Sequence, residues 1–349
     1  MAKVPLLGSY GNSTGDGLMF RNRIINGNFD VWQRGTSGTP SPNSATGGYA
    51  SADRWKFVGH ESGVSFASVN LTQITDAPTG SKFAAKLVST SAGLDDVAVG
   101  QIIESSNTYD LVGEPVTLTI YLKRLGTLTG LNTNIEISYL NAIDTTPSNF
   151  LQGTPIGATV ITTRTLTQSD FSNTWVKYTV KTPVLPAGAA NGLMIRVFIN
   201  GTNIGSGDLF AIGQAQLESG SETPFEKRPF STELDLCQAY YEVTSIMSQT
   251  YTSSVIGNSG HSYPTWGMAK WDYKVRKRIN PSLQVFCGSS NFGFSSLDPG
   301  TNRLSSSSFG DFVVSGDQSG CFAHFAQNDN ALPTNPYLYD FGVRAIAEL

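Results

Sequence analysis

The residues able to do chemistry are sparse and scattered along the chain. Three histidines, His60, His261 and His324, lie far apart, and none has a second His or Cys at metal-ligand spacing. Three cysteines, Cys237, Cys287 and Cys321, form no CxxC pair, and their odd number argues against a disulfide framework. They read as small buried apolar residues. There is no GxSxG elbow, no Walker loop, no GxGxxG following a strand and no HExxH. The serine context closest to a nucleophile, Gly257-Asn-Ser-Gly-His261, lacks the elbow pattern and sits in a polar loop. Asp95-Asp96 is the only adjacent acidic pair. A glycosidase needs two carboxylates about 5–10 Å apart facing one sugar, whereas neighbours on a strand point to opposite faces. The expectation is a protein that is not an enzyme and needs no metal or cofactor.

Binding chemistry remains. His261, Tyr263 and Trp266 follow one glycine-rich polar loop, and Phe292 and Phe294 occupy a second. Exposed rings stack on the apolar face of a sugar while neighbouring Asn and Ser satisfy its hydroxyls, so these five residues are the candidate glycan contacts. Core or subunit-interface packing is the alternative for each. The basic cluster Lys274–Arg278 places three charges at alternate positions of a strand, or in the turn before Pro281, where they stay solvated; contact with phosphate or an acidic glycan is the alternative. Net charge is −4 with no basic block, which argues against nucleic acid.

The elements that must position these residues are strands. Only 14% of residues are charged, against about 25% usually, and 36 glycines with many Ser, Thr and Asn take up the difference. That mixture suits short strands joined by tight turns. Val116–Arg124 alternates Val116, Leu118, Ile120 and Leu122 against Thr117, Thr119, Tyr121 and Lys123, the period-two mark of a half-buried strand. Ile135–Tyr139, Trp175–Thr182 and Leu193–Asn200 repeat it, and Val64–Leu71, Phe83–Thr90, Val97–Glu104 and Leu209–Leu217 fill out a set of eight to ten. No long 3.6-residue pattern appears among them, which excludes βαβ units and leaves two packed antiparallel sheets.

Four regions follow. Residues 1–22, rich in Gly and Ser, read as an arm or connector, and residues 23–230 as the sandwich. Residues 231–242 form a linking helix, with Ser231 or Thr232 as cap and Leu234, Cys237 and Tyr241 on one face. Residues 243–349 form a smaller C-terminal β domain with strands at Lys270–Ile279, Leu283–Cys287, Asp311–Ser315, Cys321–Gln327 and Tyr337–Ala347. Apolar runs are strand-sized, so no membrane span is expected. The patch Val4–Leu7 is too short for a signal-peptide core, so synthesis in a cytoplasm is expected.

Two segments bracket the sandwich. Arg21-Asn-Arg-Ile-Ile-Asn-Gly-Asn-Phe-Asp-Val-Trp-Gln-Arg-Gly35 with Ser51-Ala-Asp-Arg-Trp55 opens it. Gly213-Gln-Ala-Gln-Leu-Glu-Ser-Gly220, Thr223-Pro-Phe-Glu226, Arg228-Pro-Phe230 and Glu233-Leu-Asp-Leu-Cys-Gln-Ala-Tyr-Tyr241 close it. In order and spacing these motifs resemble the β-sandwich, carbohydrate-binding-like modules of bacteriophage tail-fibre and minor tail proteins, and Ala345-Ile-Ala-Glu-Leu349 is similar to the ends of such fibres. The resemblance implies an all-β, jelly-roll-like antiparallel sandwich. It also implies a virion protein, assembled in a host cytoplasm as a homotrimer with other tail proteins, that attaches to host surface polysaccharide. A purely structural virion component (connector, collar or head fibre) is the alternative, and a polysaccharide-degrading tailspike a third. The first and last strands of such a module lie side by side, pairing Ile24–Trp32 near Leu209–Glu218. Trp32 and Trp55 then cover one end of the core, and Asn28, Asp30 and Glu218 converge where related modules hold a structural calcium. The closing strand here lacks the Asp pair that such a calcium would take.

Overall fold

A computed structural model describes residues 20–40, 47–60, 69–126, 128, 130–148, 150, 156–246, 266–287, 293–295, 309–327, 337–339 and 341–348. Two compact units divide between Glu233 and Leu234.

The first unit is an antiparallel β-sandwich. Its strands are β1 (Ser37–Gly38), β2 (Lys56–His60), β3 (Val69–Ile74), β4 (Ala84–Ser89), β5 (Leu94–Glu104), β6 (Pro115–Arg124), β7 (Asn132–Leu140), β8 (Ala158–Leu166), β9 (Val176–Val184), β10 (Gly192–Ile204) and β11 (Gly207–Ser219). One sheet runs β1-β3-β4-β11-β6-β9 and the other β2-β5-β10-β7-β8. The inward positions of the two sheets, such as Leu118, Ile120 and Leu122 against Val97, Val99, Ile135, Ile137, Ile195 and Val197, form one buried core. Alternation in β6 therefore does what its sequence requires, with Tyr121 and Lys123 half exposed on the outer face. The strands at Lys56–His60 and Ala158–Leu166 are additions to the expected set.

The opening segment runs beside β11, but not as a strand. β4 pairs with β11 only as far as Ile212. Beyond that point residues 22–27 take over the edge: Arg23 N–H donates to the Leu217 carbonyl at 2.8 Å, and Ala215 N–H to the Gly27 carbonyl at 2.9 Å. A Cβ on Gly27 would lie 2.2 Å from the Ala215 oxygen, so only glycine allows this approach. Asn26 and Phe29 sit at φ of 57° and 56°, which breaks any regular ladder. Asn22 bonds into β11, so the framework starts ahead of the expected residue 23.

In the second unit, α1 (Phe230–Gln238) starts in the first unit and crosses into it. The strands are β12 (Tyr241–Ile246), β13 (Trp266–Asp272), β14 (Ser282–Cys287), β15 (Gly293–Ser295), β16 (Phe309–Gly316), β17 (Gly320–Gln327), β18 (Tyr337–Tyr339) and β19 (Phe341–Ile346). Sheets β12-β19-β14, β13-β17-β16 and β15-β18 are all antiparallel. The helix ends four residues before the expected Glu242. Tyr240-Tyr241-Glu242-Val243-Thr244 is an aromatic and β-branched run better suited to a strand, and β19 provides its partner.

The strand expected over Lys270–Ile279 also stops early, at Asp272. In the turn that follows, Lys274 and Arg276 are exposed as expected and Arg278 is partly so, but Lys277 is not left in solvent. Lys277 is 1% exposed and sits 2.6 Å from Glu242, because the turn is tied down by Lys277 N–H to the Gln318 carbonyl and Arg278 N–H to the Ala239 carbonyl. Cys237 and Cys321 are buried thiols. No helix among the described residues is long and apolar enough to cross a membrane.

Candidate functional site

The outer face of the β2-β5-β10-β7-β8 sheet carries a second set of inward-turned groups. Val58, Ala98, Ile102, Leu140, Phe150, Ala158, Met194 and Phe198 make a small apolar cluster there, separate from the main core. Charged residues are sealed within it. Arg196, 1% exposed, donates from Nε to Glu136 Oε1 at 2.8 Å and from Nη1 to the Phe150 carbonyl at 2.9 Å. Glu136 also accepts from Ser138 Oγ at 2.8 Å. Arg54 Nη2 bridges the Ile102 carbonyl and Glu104 at 2.8 and 2.9 Å. Gly100 faces Arg196 across the β5–β10 ladder, and a Cβ there would strike the Ile195 carbonyl at 2.1 Å and Arg196 Cα at 2.8 Å.

Toward one end of this face the apolar cover gives way to an open polar row. Register places His60 opposite Asp96, Asp96 opposite Asn200, and Asn200 opposite Asn132. One row inward, Phe198 lies opposite Asn134, and Asn134 opposite Thr165. Side chains on one face of paired strands stand about 5 Å apart, so the two rows present imidazole, carboxylate, three amides and a hydroxyl over four to five strands. Asn200 Nδ2 donates to Asp96 Oδ1 at 2.6 Å, His60 Nδ1 lies 4.0 Å from Asp96 Oδ2, and Thr165 Oγ1 donates to Asn134 Oδ1 at 2.8 Å. Asn200, Asn132 and Thr165 are exposed, Asn134 and His60 partly so, and Asp96 is only 7% exposed. Planar amides and a carboxylate held against a buried ring are groups that read the vicinal hydroxyls of a sugar.

Burial pushes the Asp96 carboxyl above its ordinary range; Asp95 adds to this, while His60, Asn200 and Arg196 oppose it. A carboxyl that binds its proton more tightly when folded stabilises the fold at low pH, and that contribution is lost as pH rises through the folded pKa. Asp96→Asn should therefore melt higher than the parent at neutral pH, and the gain should vanish as the pH falls toward about 4. Thermal melts across that range check it; a gain that grows on acidification would be the wrong sign. Asp95, its neighbour on β5, points to the opposite face by the period of the strand, so the adjacent pair does not make a dyad.

The candidate residues from sequence fall in other places. His261, Tyr263 and Phe292 lie outside the described residues, as does the Gly257–His261 context. Trp266 opens β13 opposite Ala326, and Phe294 is central in β15 opposite Leu338; their backbone alone is described. Trp55 is 1% exposed, stacks on Phe29 at 4.6 Å and donates from Nε1 to the Asn26 carbonyl at 2.9 Å. Trp32 packs at the core margin with its Nε1 on the Phe29 carbonyl at 2.6 Å.

The oxygen donors proposed to converge do not share a point. Asn28 donates to Asp30 at 2.8 Å and accepts from Ser81. Glu218 instead accepts from Thr223 N–H at 2.8 Å, Thr223 Oγ1 at 2.6 Å and Gln216 Nε2 at 2.7 Å, with Arg21 at 3.6 Å. A carboxylate saturated by donors has no lone pairs directed at a cation. No group of three or more His, Cys, Asp or Glu positioned to hold a metal occurs among the described residues. These residues do not fit a calcium site. Sequence reasoning missed the His60–Asn200 row because β5 and β10 look like ordinary core strands; the signal that could have found it is a polar residue ending each of two long apolar runs.

No family model matches the chain, and no curated relative does. Among solved structures it is similar to TmCBM61 in complex with β-1,4-galactotriose, at 11% identity over 57% of this chain and 99% of that one, with a TM-score of 0.32. It is also similar to the C-terminal family 22 carbohydrate-binding module of Clostridium thermocellum Xyn10B, at 9% identity over 55% and 97%, TM-score 0.32. A third is a cyclase from Fischerella sp. TAU in complex with 4-(1H-indol-3-yl)butan-2-one, at 15% identity over 57% and 98%, TM-score 0.35.

Proposed function

We propose that this chain is a glycan-binding virion protein of the bacteriophage tail-fibre type. Its sandwich holds host surface polysaccharide without cleaving it, through His60, Asp96, Asn132, Asn134, Thr165 and Asn200. The observation that carries the binding reading is the polar row itself, where register and the Asn200–Asp96 hydrogen bond converge planar donors and acceptors at an open edge of a rigid sheet. The virion assignment rests on the ordered motifs Arg21–Gly35, Ser51–Trp55 and Gly213–Tyr241, and with it go a homotrimer and tail-protein partners.

Affinity electrophoresis against polysaccharide extracted from host cells tests the binding. Each hydrogen bond to a charged or planar group contributes about 1.5 kcal/mol, or roughly tenfold in affinity. Asn200→Ala and Asn132→Ala should each weaken retention by about that factor. The thermal midpoint stays near the parent's in Asn132→Ala, whose side chain is exposed, and falls modestly in Asn200→Ala, which takes a donor from Asp96. Unchanged retention in both variants would remove the site. Failure of the parent chain to be retained, together with failure to block phage adsorption, would remove the function. Light scattering on the purified chain separates trimer from monomer.

A further inference from the structure

The cluster Lys274–Arg278 takes no part in the polar row, yet it delivers one lysine to a buried carboxylate in the second unit. We propose that the amine of Lys277 and the carboxyl of Glu242 condense to a side-chain amide that cross-links the turn after β13 to strand β12.

Lys277 Nζ lies 2.6 Å from Glu242 Oε2, and both residues are 1% exposed. The remaining Nζ hydrogens point at the Gln238 and Val275 carbonyls, both at 2.7 Å. The other carboxylate oxygen, Oε1, accepts from Lys274 N–H at 3.0 Å. The nucleophile is thus held against the carboxyl carbon's own oxygen, with a backbone donor on the oxygen where charge develops. Burial also favours the neutral amine, holding the Lys277 pKa below the usual lysine value against the opposing pull of Glu242.

The step balances within the pair. One proton passes from Nζ to Oε2, giving neutral amine and neutral acid. The nitrogen lone pair then forms the Nζ–Cδ bond, and negative charge collects on Oε1 against Lys274 N–H. A second Nζ proton moves to the Oε2 hydroxyl, the Cδ–Oε2 bond breaks, and water leaves. The amide keeps one N–H, which the Gln238 or Val275 carbonyl accepts, and its oxygen retains Lys274 N–H. Every polar atom of the product has a partner already in place. Two charges held out of water are exchanged for one neutral amide, which removes the desolvation that a buried ion pair carries.

Intact-mass measurement on the purified full chain tests this. The parent should be about 18 Da lighter than its sequence mass, the loss of one water. Proteolysis should release the peptides bearing Glu242 and Lys277 as one species, with tandem spectra placing the join at those side chains. Lys277→Arg and Glu242→Ala should return to their sequence masses. Glu242→Gln, which loses ammonia instead, should fall about 17 Da below its own. A parent at full sequence mass after folding and prolonged incubation overturns the proposal. So does a deficit that persists in Lys277→Arg or maps to any other residues. The parent's own tandem spectra decide the matter if the variants do not fold.

Discussion

Replacing Arg196 with alanine will destabilise the sandwich by about 3–5 kcal/mol, because it leaves the Glu136 carboxylate buried without its cation. Glu136 is 1% exposed, and its partners would then be the hydroxyls of Ser138, at 2.8 Å, and Thr163, at 3.5 Å. The Phe150 carbonyl loses its donor as well. For a unit of this size the loss lowers the melting temperature by roughly 10 °C. The effect comes from the orphaned charge and not from an intrinsically strong ion pair. Arg196→Met combined with Glu136→Gln, which removes both charges and keeps an acceptor for Ser138, should therefore cost less than half as much. Chemical denaturation of the three proteins measures both quantities. A single alanine variant within about 1 kcal/mol of the parent would show that water reaches Glu136.

Arg196 also marks where the sequence is silent. Strict alternation in Val116–Arg124 was enough to give β6 its limits within a residue and to point Tyr121 and Lys123 outward. The same rule applied to β10 makes Arg196 an ordinary solvent-facing residue, which it is not. Leu193-Met-Ile-Arg-Val-Phe-Ile199 is apolar on both faces apart from Arg196, and Val97-Ala-Val-Gly-Gln-Ile-Ile103 nearly so. Runs of that kind mark strands covered on both sides. The cover comes from Phe150, far along the chain in the connection between β7 and β8, so nothing local announces it. Strand β8 was missed for the opposite reason: it is an edge strand whose Thr159, Val160, Thr163, Arg164 and Thr165 are all exposed, with little apolar period to read. Lys277 stands outside the alternate positions of Lys274, Arg276 and Arg278, and its burial comes from the tie of the turn to Gln318 and Ala239, which no local period encodes. The polar row at His60, Asp96 and Asn200 needs the register of three strands, which no single segment encodes.

The opening motif has the opposite character, since its asparagines are legible as to place but not as to task. Asn22 is 4% exposed and acts as a stretch of strand compressed into one side chain. Its Nδ2 donates to the Ala215 carbonyl at 3.1 Å, while Oδ1 accepts from Leu217 N–H at 3.0 Å and Ile24 N–H at 3.0 Å. It completes the ladder of β11 just where β4 has withdrawn. Asn22→Ala leaves three buried backbone groups without partners, at about 1–3 kcal/mol each before any relaxation. A loss of about 3–5 kcal/mol is expected, close to that of Arg196→Ala. The Asp variant sharpens the test. Asn22→Asp keeps an acceptor for the two N–H groups but turns a second oxygen toward the Ala215 carbonyl, so it should recover little of the loss at neutral pH. It should recover more in acid, where the protonated carboxyl can donate to that carbonyl. Denaturation midpoints of both variants at neutral and acidic pH read this directly. If Asn22→Asp matches the parent at neutral pH, the donor half of the amide is dispensable and the strand-completing role falls.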